Sequence, residues 1–343
     1  MTTIFAFIIV LGILVFIHEL GHFLAARWAG ARVDTFSIGF GRPLLKWHDK
    51  YGTKWQVAML PLGGYVKIYG QDDMFNSRKY NELSKTEKQG HYLSLFKWKQ
   101  AIVIGAGSFM NILLAWFVYS FLFIGTQTIQ LPFIGQVQET TEHLQVGDQI
   151  SMINGKAVNS WTEMIIAKEL SAGAGNMGLT VLRGETAIEI TMPAGTWGIL
   201  PDTSKTTVQH NGMFTAMGKA ANEVAMQSRL MVTVISQIIT GQRSPKQLGG
   251  VISIAENSGR AMAAGVLAML ALIAMLSINL AVINLLPLPA LDGGFLLMIL
   301  IETITRRKMD GKKMEYILQI GWILLLSLIA FTILNDTLRM LAR

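Results

Sequence analysis

Two histidines stand four residues apart in Phe16-Ile17-His18-Glu19-Leu20-Gly21-His22-Phe23. On an α-helix that spacing places both imidazoles on one face, one turn apart. Two ring nitrogens so placed can bind one zinc ion, and Glu19 beside them can act as general base for an attacking water. In a soluble chain of this length a chance His-Glu-x-x-His occurs at about the one-in-a-hundred level. The surroundings sharpen the reading. Residues 4–26 are otherwise an apolar run long enough to cross a bilayer. Ionisable side chains in such a run are costly and default to a functional reading. A proton relay or a transporter ion site is the competing account.

A third ligand must come from elsewhere. There is no cysteine, so a metal site has to use histidine and carboxylate, which suits a catalytic zinc with one open position. Residues 263–300 form a hydrophobic stretch that as one helix would reach about 57 Å, far beyond a bilayer core. It is broken at Asn284-Leu285-Leu286-Pro287-Leu288-Pro289-Ala290-Leu291-Asp292-Gly293-Gly294. Irregular backbone at that depth must be buried in protein or line a wet cavity. Asp292 is the only acid between Glu256 and Glu302. It can cap the helix that resumes at Gly293, and with His18 and His22 it would complete a His₂-carboxylate site. Asn284 could hold the scissile carbonyl or its developing oxyanion.

The elements that must position these groups follow from composition and charge. Of 343 residues, 51% are hydrophobic and 15% charged, against about a quarter charged in soluble domains. This is an integral membrane protein with room for one modest water-exposed domain. The net charge of +7 marks cytoplasmic loops rather than a nucleic-acid partner. The uncharged start, Met1-Thr2-Thr3, argues against a secretory signal peptide. Arg27 ends the first span, and Arg32, Arg42, Lys46, Lys50, Lys54 and Lys67 follow it. The N-terminus is therefore expected outside, and the His18–His22 site within the membrane near its cytoplasmic face. Residues 33–69 alternate in period two and read as a hairpin, whose Gly63-Gly64 region could take an extended substrate as an added strand. Residues 71–89 read as a polar loop and 92–99 as an interfacial segment. The second span carries Gly105, Gly107 and Ser108, which permit close helix packing, and Asn111, whose amide could bond a neighbouring helix.

The external segment holds His143-Leu144-Gln145-Val146-Gly147-Asp148-Gln149-Ile150-Ser151-Met152-Ile153-Asn154-Gly155, a strand running into an Asn-Gly turn. With the helix at 161–170 and a hairpin at 179–192, it resembles a PDZ domain over 133–193. Residues 212–239 have helical periodicity with one apolar face. The expected fold class is a polytopic α-helical membrane protein with four transmembrane helices, a membrane-associated β-hairpin region and one external PDZ-like α+β domain. Its segments are 1–27 (first span), 28–100 (hairpin and loop), 101–125 (second span), 126–196 (PDZ-like), 197–262 (amphipathic helical), 263–305 (broken third span) and 306–343 (basic turn and fourth span). A non-proteolytic PDZ-bearing scaffold or ion carrier using the same polar cluster is the alternative.

Four motifs in order carry a resemblance: His18-Glu19-Leu20-Gly21-His22, Phe36-Ser37-Ile38-Gly39-Phe40-Gly41, Leu60-Pro61-Leu62-Gly63-Gly64-Tyr65-Val66-Lys67, and the stretch from Asn284 to Gly294. Over nearly its whole length the chain resembles the site-2 protease family of intramembrane zinc metalloproteases, in its bacterial branch of envelope-stress regulators. The resemblance implies zinc on His18, His22 and Asp292, Glu19 as base, and Asn284 with the Pro287/Pro289 loop beside substrate. Gly63, Gly64 and Asn111 join these as candidate substrate-binding residues. It also implies a transmembrane substrate, either anti-sigma-factor-like after a first external cut or a signal-peptide remnant. The setting is then the bacterial inner membrane, with both termini and the PDZ-like domain periplasmic. The chain departs from many relatives in having one PDZ-like segment rather than two, Ser108 where a proline is usual, and no proline at Val251.

Overall fold

The structure is a computed structural model that describes residues 2–75, 77–137, 143–171, 175–193, 197–247, 249–307 and 311–341. It divides into two compact units, Met1–Val118 with Leu248–Arg343, and Tyr119–Gln247.

The first unit begins with α1 (Thr2–Ala29). The charge pattern ends this span at Arg27, whereas the helix runs two residues further and stops at Gly30, which adopts φ +94°. The Gly30 N–H donates to Arg27 O (3.1 Å) and the Ala31 N–H to Ala26 O (2.9 Å). These are the paired bonds of a Schellman motif, which satisfy carbonyls the helix end would leave bare. Strands β1 (Val33–His48) and β2 (Lys54–Ile68) follow, antiparallel to each other. The period-two pattern implies a plain hairpin, but the register is richer. Residues 35–38 pair on one side with Lys54–Val57 and on the other with Gly64–Lys67, while 45–48 pair with the outer flank of Lys54–Val57. Both strands bend back on themselves near Gly39, Gly41 and Gly63, which take positive φ. Two strands thus act as four segments, and 64–68 forms an edge. The turn at 49–53 is held by Asp49, whose Oδ1 accepts the Tyr51 and Thr53 N–H groups. Its Oδ2 accepts from Arg27 Nη2 at 2.7 Å, so the hairpin is pinned to the end of α1. Phe36 is fully buried and stacks on Trp55 (4.4 Å), with Phe23 and Phe16 of α1 against its edges. That aromatic cluster fixes which face of α1 meets the sheet. A short helix α2 (Ser77–Glu82) precedes α3 (Lys97–Phe123).

The second unit contains β3 (Gly125–Gln130), β4 (Ile134–Val137), β5 (Gln149–Ile153), β6 (Lys156–Ala157), α4 (Trp161–Ser171), β7 (Asn176–Arg183), β8 (Thr186–Pro193), β9 (Ile199–Pro201), β10 (Thr206–Asn211) and α5 (Met213–Ile239). A four-stranded sheet has the order β6-β5-β7-β8. Asn154 (φ 50°) and Gly155 (φ 75°) make the β5–β6 turn, as a type I′ turn requires. Ser160 and Glu163 open α4 with reciprocal side-chain bonds to Glu163 N and Asn159 N, a capping box in outline. Ile134, Ile150, Met164, Met177 and Val181 form the core. Residues 197–262 are not helical throughout, as the sequence reading expects. β9 pairs with β4 and β10 with β3. The β-branched Thr206-Thr207-Val208 run lies opposite Thr126-Gln127-Thr128-Ile129, and such cross-strand pairs favour a ladder over a helix.

The chain then supplies the rest of the first unit: α6 (Val251–Ala264), α7 (Val266–Asn284), α8 (Asp292–Thr305) and α9 (Gly311–Leu341). Among the described residues, α1, α3, α7 and α9 are the helices long and apolar enough to cross a membrane. At 14 residues, α8 is too short for that. Val10 and Leu14 of α1 pack with Ile273 of α7, which brings the broken segment alongside the histidine helix.

Candidate metal centre and active site

His18 and His22 share one face of α1, their rings in edge contact with centroids 4.8 Å apart. The two Nε2 atoms are 3.2 Å apart. Asp292 Oδ2 lies 3.3 Å from His18 Nε2 and 3.6 Å from His22 Nε2. A tetrahedral zinc with ligand bonds of about 2.0–2.1 Å sets its ligand atoms about 3.3–3.4 Å apart. The triangle of donors therefore has the dimensions this ion needs, and its chemistry of two imidazoles and one carboxylate leaves a fourth position open.

Asp292 reaches the histidines because α7 stops at Asn284 and α8 starts eight residues later. The Leu285 N–H still bonds Ala281 O, and the turn beyond closes through Leu288 N–H to Leu286 O (2.7 Å) and Leu291 N–H to Leu288 O (3.2 Å). Ala290 sits at φ +76°. Gly293 and Gly294 lie so close to the Leu285, Leu286 and Leu288 carbonyls that a Cβ on either would overlap them. The cap residue of α8 is Leu291, with no side-chain cap bond. The capping role that the sequence allows for Asp292 is thus unused, because its carboxylate is turned to the two imidazoles.

Helix α3 backs the donor set. His22 Nδ1–H donates to Val103 O at 2.8 Å, which leaves the Nε2 lone pair facing the site. Ser108 Oγ lies 3.5 Å from Asp292 Oδ2. The Asn111 amide is 3.2 Å from His18 Nδ1, and the Asn284 amide 3.3 Å from His18 Nε2. At Gly107 a Cβ would overlap His22 Nε2 and come within 2.8 Å of His18 Nε2. The Val66 N–H is directed at the Glu19 carboxylate. A cavity of about 200 Å³ opens beside this cluster, lined by His18, Glu19, His22, Gly64, Tyr65 and Asp292, with Gln71 and Phe295 also on its wall.

Of the sequence-derived candidates, the structure brings together His18, Glu19, His22, Asp292, Asn284, Asn111 and Gly64. Gly63 faces the Phe40 ring instead. Pro287 and Pro289 shape the α7–α8 turn, where Pro289 packs on Gly321 of α9; neither lines the cavity. Sequence reasoning read Gly107 and Ser108 only as packing residues and did not single out Val103, Tyr65, Gln71 or Phe295. One signal was available: residues 103, 107 and 111 lie at i, i+4 and i+8, so they form a single stripe on α3.

The profile of peptidase family M50 matches residues 6–328. The chain belongs to peptidase family M50. Relatives bearing the name "putative zinc metalloprotease" cover almost all of it. One from Rickettsia conorii is 34% identical over 98% of both chains. One from Campylobacter jejuni is 35% identical over 98% of this chain and 93% of its own. One from Helicobacter pylori is 33% identical over 87% and 88%. As an M50 peptidase the protein is a zinc-dependent metalloprotease of the membrane, and the His-His-Asp group is where its described residues fit that ion.

Proposed function

We propose that this M50 peptidase is an intramembrane endopeptidase that cuts single-span membrane proteins, with zinc held by His18, His22 and Asp292 and with Glu19 as general base. The observation that carries the reading is the convergence of three donor atoms beside Glu19 on a helix apolar enough to cross a membrane. Zinc, when bound, supplies a Lewis acid that polarises the scissile carbonyl and acidifies the attacking water. Glu19 takes the water's proton as oxygen bonds to the carbonyl carbon. The same carboxyl then delivers that proton to the amide nitrogen as the C–N bond breaks, which releases an amine and a carboxylic acid whose proton passes on to the amine. Asn284, the last residue of α7, is placed to donate its amide to the oxygen on which charge develops.

A helical substrate hides its carbonyls in its own hydrogen bonds, so it must unwind before attack. The 64–68 edge, whose Val66 N–H is directed at Glu19, is where an extended segment would add as a strand, the β-augmentation mode of binding. Gly64 keeps that edge close to the site, and Gly63 and the Pro287/Pro289 turn shape its surroundings. The proposed depth is supported by Trp28 and Trp98, whose rings meet edge to face at 5.9 Å with Lys99 near both. Aromatics with a lysine mark a headgroup boundary, and His22 lies about 9 Å from Trp28 along the helix. With the basic residues that follow Arg27, this supports a site near the cytoplasmic face of a bacterial inner membrane with both termini in the periplasm. The segment 126–196 is then a periplasmic PDZ-like domain, supported by its Asn-Gly hairpin, α4 and the β7–β8 pair. It would admit substrates already shortened by a first cut, such as an anti-sigma factor or a signal-peptide remnant.

The test is Glu19→Gln in purified protein. Zinc content should stay at wild type while cleavage of a single-span substrate falls by about 10²-fold or more, the range for loss of a positioned base. Wild-type cleavage by Glu19→Gln would remove Glu19 from the mechanism.

A further inference from the structure

We propose that Asn111 is a positioning residue for His18: its side-chain oxygen holds the His18 proton on Nδ1, so that Nε2 presents a lone pair to the metal. The proposal rests on the zinc-site reading above and deepens it. A neutral imidazole has one N–H. If one nitrogen binds a metal, the other must carry the proton and needs an acceptor. For His22 that acceptor is Val103 O, a backbone carbonyl that can only accept. For His18 the atom facing Nδ1 belongs to the Asn111 amide, which offers a donor at one end and an acceptor at the other.

Asn111 is fully buried, and its Oδ1 has no hydrogen-bond partner. Its Nδ2 lies against His18 Nδ1. In that orientation Nδ2–H donates to Nδ1, and the imidazole proton is left on Nε2, against His22 Nε2, Asp292 Oδ2 and the Asn284 Nδ2 donor. That is the position a metal would take. A half-turn of the amide exchanges its two ends without changing its shape. Oδ1 then accepts from Nδ1–H, the buried acceptor is satisfied and Nε2 is free. The residue is otherwise well anchored: Ser277 Oγ of α7 donates to the Asn111 backbone carbonyl at 2.8 Å. The orphaned buried oxygen and the free lone pair a metal needs at Nε2 thus both call for the turned amide.

The experiment is zinc affinity of the full-length protein in detergent, measured by chelator competition. Asn111→Leu keeps the volume and removes the acceptor, and its affinity should fall about 10–100-fold, the usual cost of losing an outer-shell partner. Asn111→Asp keeps an acceptor and should stay within about 3-fold of wild type, whereas a residue needed only for packing would give two similar variants. His18→Ala is the control. If His18→Ala binds zinc as wild type does, the zinc-site reading itself falls. If His18→Ala loses zinc while Asn111→Leu binds normally, or Asn111→Asp is as weak as Asn111→Leu, the positioning role alone is overturned. A readout independent of variant folding is nitrogen-15 NMR of histidine-labelled, zinc-loaded wild type. The His18 proton should be on Nδ1, and coordination through Nδ1 would refute the proposal.

Discussion

Gly107→Ala is the sharpest perturbation this site allows. It adds one methyl group in the middle of α3, where alanine is favoured over glycine by about 1 kcal/mol, so the helix itself should not suffer. The methyl carbon would lie 2.8 Å from both Cε1 and Nε2 of His18 and nearer still to Nε2 of His22. Non-bonded contacts prefer about 3.5 Å or more, so the His18 ring must retreat by about 0.7 Å and the His22 ring by about 1.1 Å, or α3 must move by as much. Metal–ligand distances tolerate only about ±0.2 Å, which makes the required shift more than three times what the site can absorb. The backbone bond from His22 Nδ1 to Val103 O further limits that retreat. Zinc affinity should therefore fall more than about 100-fold, beyond the 10–100-fold typical of an outer-shell loss. Gly105→Ala on the same helix is the matched control: its methyl would meet only Leu296 Cδ1, at 3.8 Å. Both variants can be titrated with zinc in detergent against a chromophoric chelator and assayed on a membrane substrate. If Gly107→Ala binds zinc like Gly105→Ala, the reasoning that this glycine makes room for the two ligand rings is wrong.

Three other outcomes are expected. Asp292→Ala should leave a histidine pair that holds less than about a tenth of an equivalent of zinc after dialysis, read by elemental analysis; an equimolar zinc would exclude Asp292 as a ligand. Gly64→Ala places a Cβ 2.7 Å from Ser37 O and 3.2 Å from Glu19 Cγ, so zinc should be retained while cleavage drops by about 100-fold, the penalty for an ångström-scale misplacement. In the second unit, burial raises the Asp148 carboxyl, but bonds from Arg183 (2.8 and 2.9 Å) and the Gln145 N–H outweigh it and hold the group below the usual carboxylate range. A depressed folded value means the pair's stabilisation is present above about pH 4 and is lost as pH falls through the folded value. Hydrogen exchange should show β5 and β7 opening more readily at pH 3 than at pH 5 in wild type, with a flatter profile in Asp148→Asn; equal profiles would count against the pair.

The side chains that converge beside Glu19 were legible because metal chemistry needs particular side chains. Histidines at 18 and 22 have few other uses in an apolar helix, and Asp292 was conspicuous as a lone acid behind two prolines. The doubling of β1 and β2 into four segments was not legible, since period-two alternation tells which residues face which side and not which strand lies alongside. Val103 was beyond reach for a more basic reason: the atom that orients His22 is a backbone carbonyl, which every residue has. Gly107 was noticed for its smallness, but its neighbour could not be known. A small residue on a helix reports that something comes close, and only the fold says that two imidazoles do. The helical reading of 197–262 failed at β9 and β10 because their partners, β4 and β3, lie more than 60 and more than 75 residues earlier.

The order of the donors along the chain has a bearing on biosynthesis. The imidazoles belong to α1, and their acidic companion enters at the start of α8, after the whole second unit has been made. A nascent polypeptide that has not yet released α8 from the ribosome carries a histidine pair and no carboxylate to close it. On the proposed site, peptide-bond scission would have to wait for the late helices.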